Sequence, residues 1–385
     1  MKKGQNWEKN LKSPQRIRRT IILTLCALWA LCEKSQKLSA NMKNSLKIEL
    51  NMNRIEILKF RSALLNEIRQ WFIQEGYTEV TTPLCVPYCS GEAYIEPYSV
   101  EFRDDRKNTY SGYLISSPEM YMKRLLAEGF KKIFQICPCY RSGESFTSPL
   151  HNPEFTMVEW YQMECDLNQS IKITKNLFDH AKQFAQHFFP EKNKNQELSG
   201  SDKSLSKFSV QELFNAWTNI DFSKFDTWND ICNAATKKGY PPGLSPDNAF
   251  YTIFLNEIEP HFDKNTPFFV YNYPEFQAAW AKCISIGRLQ YGCRYELYYN
   301  GVELANGYEE LCSSQDQKKR FNNDQKIRDI EGRPVYEPDS EFIECVDKIS
   351  GSSGTALGFD RLAMLLCGAS AIQDVIAFPA GKLFK

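Results

Sequence analysis

The stretch that decides the fold is His151-Asn152-Pro153-Glu154-Phe155-Thr156-Met157-Val158-Glu159-Trp160-Tyr161-Gln162. From Glu154 to Gln162 it has no glycine or proline and is rich in β-branched and aromatic residues, which predicts a strand. Lys132 to Tyr140 also reads as a strand, in spite of Pro138, and the polar segment between them joins the two as a pair. Alternation then puts Phe155, Met157, Glu159 and Tyr161 on one face. An aromatic plate there can stack on a base, and an acid beside a phenol can hold an ammonium group. Arg141, at the base of the loop, is suited to a phosphate. An amphipathic hairpin with a solvated polar face would show the same alternation, so this stretch alone does not settle a function.

Toward the N-terminus, Ser117-Pro118-Glu119 marks a helix start that runs on to Gly129. Ile57, Phe60, Leu64, Ile68 and Trp71 form one apolar stripe, which predicts a helix over Arg54 to Glu75. Gly76 stops it, and Tyr77 to Thr82 reads as a strand ending at Pro83. In the other direction, residues 196–207 are rich in serine and lysine and predict a surface loop. A variable helical and loop insertion is expected over about 196–262, and Pro267 to Tyr273 reads as a buried strand. Glu296 to Leu311 reads as two short strands around an Asn306-Gly307 turn, followed by a charged helix from Asp316 to Asp329. Gly354 to Gly368 reads as a glycine-rich strand end leading into a helix. Helices flanking turn-linked strand pairs predict an α+β fold with a largely antiparallel sheet.

Two further constellations carry chemistry. If Asn306-Gly307 is a two-residue turn, Glu303 and Glu310 face each other across it. Like charges so placed repel, and Mg²⁺ bridging phosphates would relieve them. A longer turn would leave both acids merely solvated. In Gly354-Thr355-Ala356-Leu357-Gly358-Phe359-Asp360-Arg361, small residues allow a backbone to approach a ligand. Arg361 falls in the first turn of a helix, where phosphate binding is favoured. A tight strand-to-helix turn with an exposed arginine would look the same.

Taken in order, these segments resemble the three motifs of class II aminoacyl-tRNA synthetases. The helix and strand ending at Pro83 resemble motif 1, the dimer element; Phe134 through Tyr161 resembles motif 2, and Gly354 through Gly368 motif 3. His-Asn-Pro-Glu-Phe-Thr and Glu-Leu-Ala-Asn-Gly are similar to the lysine branch. Lysyl-tRNA synthetases carry an anticodon-binding barrel ahead of motif 1, whereas only about fifty residues stand there in this chain. The layout of Ser-Pro-Glu, Arg-Ser-Gly-Glu, Glu-Trp-Tyr and Thr-Ala-Leu-Gly resembles the elongation factor P–(R)-β-lysine ligase family instead. That resemblance implies activation of lysine or (R)-β-lysine with ATP and Mg²⁺, and transfer to a lysine of elongation factor P. It implies that Ser117, Pro118, Glu119, Tyr161 and Glu310 hold the amino acid, with Glu159 reading its ammonium and Ala356 narrowing its pocket. Arg141, Glu144, Asn152, Phe155, Glu303, Leu304, Gly358 and Arg361 are implied for ATP, with Arg141, Glu303 and Arg361 catalytic and Glu303 and Glu310 on the metal. A homodimer through the region near Pro83, a cytoplasmic location and no tRNA binding follow from the same resemblance. The alternatives are a shortened lysyl-tRNA synthetase and a non-catalytic regulator. Pro149 and Leu150 stand where the family commonly has an arginine close to the histidine, a departure that affects how the outer phosphates of ATP are held.

The totals agree. Of the 385 residues, 42% are hydrophobic and 24% charged, as in a globular protein. Formal net charge is zero, without the basic surplus of a non-specific nucleic-acid binder. Thirteen cysteines, an odd number, are scattered along the chain. The Cys85/Cys89 and Cys137/Cys139 pairs have no neighbouring histidine, so reduced thiols are expected rather than a zinc site. Residues 1–50 form an N-terminal extension ahead of the 51–385 catalytic domain. Its apolar run from Ile21 to Cys32 is too short to span a bilayer, and Met42 or Met52 is a candidate later start. No membrane association is expected.

Overall fold

The computed structural model describes residues 53–190 and 205–384. The expectation of an extension over residues 1–50 lies outside the described residues. Met52–Lys385 forms one compact unit.

Helix α1 (Arg54–Gln74) opens on a capping box: Asn53 accepts from the Glu56 amide, and Glu56 accepts from that of Asn53. The strand expected from Tyr77 to Thr82 is only β1 (Thr78–Glu79). Ahead of Pro83 the chain leaves the sheet, and the Thr82 amide donates to the Gln135 side chain instead of a strand. Strands β2 (Cys85–Val86), β3 (Tyr98–Arg103) and β4 (Thr109–Leu114) form a separate three-stranded sheet. Helix α2 (Glu119–Ala127) starts with Pro118, not Ser117, at its cap; the Ser117 hydroxyl still receives the Glu119 amide at 3.1 Å. Strands β5 (Lys132–Tyr140) and β6 (Glu154–Gln162) span the two expected segments and pair antiparallel in register from end to end. Helix α3 (Leu167–Phe188) follows.

The loop expected to reach residue 207 ends sooner: β7 (Lys207–Ser209) runs parallel to β8 (Phe268–Pro274). Between them α4 (Val210–Thr218), α5 (Asp230–Lys237) and α6 (Pro246–Ile253) bury Phe214, Ile231 and Phe250, with Phe222 of the connecting turn, against Val270 and Tyr298 of the sheet. Strand β9 (Cys283–Ile286) leads into β10 (Leu289–Tyr299) and β11 (Val302–Glu309). These last two correct the expected hairpin. The turn is at Asn300-Gly301, where both residues have positive φ, and Asn306-Gly307 sits inside a strand. Two Asn-Gly pairs occur six residues apart. Only pairing decides between them: Gly307 lies opposite Tyr295, and its missing side chain makes room for the Tyr295 ring and the Thr355 hydroxyl. Helices α7 (Ser314–Ile330) and α8 (Ser340–Cys345) precede β12 (Ser353–Gly358), α9 (Phe359–Cys367), α10 (Ile372–Val375) and α11 (Ala380–Leu383).

Strand order in the main sheet is β1-β5-β6-β12-β11-β10-β8-β7, with β9 on β10. Only the outermost pairs, β1 with β5 and β7 with β8, are parallel among the described strands. This is the α+β architecture expected of the chain. Trp160 and Phe134 point to the back of the sheet, where Phe72 of α1 stacks on Phe134 at 4.7 Å. The other face is concave, bordered by the small sheet and α2, and holds the site.

Candidate active site

Register brings the site residues together. On β6, Phe155, Met157, Glu159 and Tyr161 share the concave face. Across β12, Met157 pairs with Gly358, Glu159 with Ala356 and Tyr161 with Gly354. One strand further, Ala356 pairs with Asn306, and Gly354 with Tyr308. Plain alternation would turn Glu303 away from Asn306. The register of β11 slips by one residue at Leu304, since Ala305 opposes Leu297 and Glu303 opposes Tyr298. That bulge returns Glu303 to the concave face. The resulting cavity holds about 370 Å³, within the range of small-molecule sites.

One end of the cavity is acidic. Glu159 is buried; Ser117 donates to one of its oxygens at 2.8 Å and Tyr161 to the other at 2.7 Å. Burial pushes its carboxyl up to about 8, with Glu119 adding to the shift. Lys123, one helical turn beyond Glu119, lies fully buried between two acids, 2.6 Å from Glu119 and 2.5 Å from Glu310. The rings of Trp280, Tyr308 and Tyr161 surround its ammonium, an arrangement that favours a cation. Burial opposes that charge, and the two acids outweigh burial. Burial also pushes the Glu310 carboxyl up, against the pull of Lys123. Tyr308 donates to Glu119 at 2.6 Å. Position 354 has to be glycine, because a Cβ there would run into the Tyr161 ring and lie 2.5 Å from Glu310.

The other end is basic and aromatic. The Arg141 guanidinium lies over the Phe155 ring at 5.1 Å, and its Nε is buried without a hydrogen-bond partner. Arg141 lines the cavity, and a guanidinium with a donor to spare suits a phosphate or carboxylate. Arg361 ties the motif 2 loop to β11, donating to the Leu150 carbonyl at 3.2 Å, the Glu303 carbonyl at 3.1 Å and His151 at 3.0 Å. Burial, and then Arg361, lower the His151 pKa, which keeps the ring neutral to accept that bond. Leu150 therefore joins the loop to Arg361 through its backbone, in the segment where the arginine is missing. Glu144 and Leu304 line the wall, and so does Gly358, where an added Cβ would meet no protein atom closer than 3.7 Å.

Three expectations do not hold. Glu303 and Glu310 are not a facing pair, because they lie seven residues apart on one side of the hairpin rather than across a turn. Glu310 neutralises Lys123, so the metal-binding assignment fails for it. Glu303 lines the basic end 3.8 Å from Arg361, and burial and then Glu296 push its carboxyl up. One carboxylate plus substrate phosphates is a normal Mg²⁺ environment, so Glu303 fits that role without a partner acid. Pro118 caps α2 and is not part of the cavity wall. Asn152 lines the cavity as expected and also braces the loop, its amide nitrogen donating to the Glu154 carbonyl at 2.6 Å and its oxygen accepting from the Ala380 amide at 3.0 Å.

Several residues in the cavity wall or packed behind it escaped the sequence reading. Lys123 had a signal, the Glu119/Lys123 i,i+4 spacing on a helix. Tyr308 and Asn306 were hidden by the misplaced turn. Trp280 and Glu92 sit in irregular segments with no periodicity to mark them.

A family model for class II tRNA synthetases (D, K and N) matches residues 39–382. The chain belongs to the class II aminoacyl-tRNA synthetase family. Within it, the chain is 33% identical over 332 residues to an elongation factor P–(R)-β-lysine ligase of Enterobacter sp. (strain 638), covering 84% of this chain and 94% of that protein. The ligase of the same name from Haemophilus ducreyi is 33% identical over 328 residues, with the same coverage. That from Yersinia enterocolitica is 32% identical over 332 residues, again covering 84% of this chain and 94% of that one. At this likeness the chain is a member of that class II ligase family, and a ligase. Among the described residues no helix is long and apolar enough to cross a membrane.

Proposed function

We propose that this class II ligase activates lysine or (R)-β-lysine with ATP and transfers it to a lysine side chain of elongation factor P. The observation that carries the reading is the charge count at the acidic end. Glu119, Glu159 and Glu310 converge there against one buried ammonium, Lys123. With all three ionised two negative charges remain, and two ammonium groups of a diamino acid complete the balance and favour the charged forms of Glu159 and Glu310. Burying carboxylates without such partners is costly. The activity for which the relatives are named supports (R)-β-lysine and factor P.

Arg141 would receive the α-phosphate and the substrate carboxylate and hold them in line for attack, with pyrophosphate leaving. Phe155 would offer its ring to the adenine, Arg361 would hold the outer phosphates, and Glu303 would hold Mg²⁺, which would supply charge neutralisation. Ala356, between Glu159 and Asn306, narrows the space beside the amino-acid backbone. A homodimer through the region of Pro83 and a cytoplasmic location belong to the same reading, and tRNA is not the acceptor.

The test is pyrophosphate exchange with lysine and with (R)-β-lysine, followed by transfer of labelled amino acid to purified factor P and to total tRNA. Exchange with either amino acid and label on factor P are expected. No exchange with either would end the enzyme reading. Label on tRNA alone would favour a shortened lysyl-tRNA synthetase.

A further inference from the structure

Glu92 is an acid in the cavity that the activation step leaves unused. It sits on the segment linking β2 to β3, half-buried, with the Ser90 hydroxyl donating to its carboxylate at 3.1 Å. The segment is held from behind in one conformation. Gln325 of α7 donates to the Gly91 carbonyl at 2.7 Å. The fully buried Arg328 donates to the carbonyls of Glu92 at 3.0 Å and Ile95 at 3.1 Å, and grips the Glu96 carboxylate with both oxygens at 2.9 Å. Arg333 adds the Ala93 carbonyl at 2.9 Å. Gly91 has φ +67°, and a side chain there would strike the Phe321 ring at 2.5 Å. A buried arginine committed to backbone carbonyls is a strong device for aiming one loop residue.

The charge count says what that residue is not for. A bound diamino acid already balances Glu119, Glu159 and Glu310 against Lys123, so Glu92 is one carboxylate in excess. It lines the cavity together with Glu119 of the acidic end and Arg141 of the basic end, in the space that an aminoacyl adenylate would span. The acceptor lysine arrives there as an ammonium. With an ordinary pKa of about 10.4, only roughly 1 in 2,500 such amines is free at pH 7.

We propose that Glu92 is the general base of the transfer step, taking a proton from the ammonium of the acceptor lysine as it attacks. This rests on the adenylate reading above. Glu92 removes one proton from Nζ, the Nζ–C bond forms, and the C–O bond to the adenylate phosphate breaks. AMP leaves with that electron pair, and the second Nζ proton passes to the departing phosphate or to water as the amide forms.

The experiment compares Glu92→Gln and Glu92→Asp with the unmodified protein in three assays: pyrophosphate exchange, single-turnover transfer from preformed adenylate to factor P, and capture of that adenylate by hydroxylamine. Hydroxylamine is already unprotonated at neutral pH. In Glu92→Gln, transfer to factor P should fall about 100-fold or more beyond any fall in exchange, and Glu92→Asp should recover part of it. Hydroxylamine should close the gap between variant and unmodified protein. A parallel fall in exchange and transfer would overturn the proposal and make Glu92 an amino-acid ligand. An equal defect with hydroxylamine, or full transfer by Glu92→Gln, would overturn it too. Unmodified protein without exchange would overturn the functional reading itself, and the proposal with it.

Discussion

Amino-acid binding should depend on pH through Glu159. In the ligand-free protein its carboxyl titrates near 8, chiefly because it is buried. An ammonium group beside it requires the ionised form. At pH 6.5, ionising a group with that pKa costs ~2 kcal/mol, which is a ~30-fold loss of affinity relative to pH above 8. Affinity should therefore rise close to tenfold per pH unit below about 7 and level off above 8 for this one group. Glu310 is shifted in the same direction and steepens the slope. The substrate's side-chain ammonium stays charged through this window, so it does not mask the effect. The assay is calorimetric titration with lysine or (R)-β-lysine in buffers of different ionisation enthalpy, which counts protons. At pH 7 about 0.9 proton should leave Glu159 on binding. Glu159→Gln should weaken binding and remove one unit of slope. A dissociation constant that is flat from pH 6.5 to 8, or proton uptake on binding, would refute the reasoning.

Other outcomes follow from the same geometry. Glu303→Ala should lower Mg²⁺-dependent exchange on the order of 100-fold with little change in melting temperature, since its side chain is 39% exposed; full exchange would remove it from the phosphate end. Ala356→Gly should relax discrimination between (R)-β-lysine and lysine by about 1–3 kcal/mol, read as the ratio of kcat/KM values; equal use of both by the unmodified protein would count against this. Gly354→Ala should abolish amino-acid binding, because the new methyl displaces both Tyr161 and Glu310; unchanged affinity by calorimetry would contradict the packing. Ligand-free protein should melt at lower temperature at pH 8 than at pH 6. Glu159 holds a proton when folded that the unfolded chain loses near its ordinary value, so stability is lost as pH rises toward 8. Saturating amino acid should remove the difference.

Local chemistry makes much of this protein legible in its sequence. The strands of β5 and β6, the apolar stripe of α1 and the glycine-rich entry to α9 each rest on a pattern carried by neighbouring residues. Alternation alone placed Phe155, Met157, Glu159 and Tyr161 on one face, because the period of a strand does not depend on its partners. Long-range pairing decided the rest. Asn300-Gly301 and Asn306-Gly307 are equally good turns in isolation, and only the packing of Tyr295 against Gly307 makes one a hairpin and the other a strand interior. The bulge at Leu304, which returns Glu303 to the cavity, has no local signal either, since a register slip is a property of two strands. Glu310 looked like a metal ligand until burial set Lys123 beside it. Glu92 was silent in the sequence because its loop has no conformation of its own; Arg328, more than two hundred residues away, supplies one.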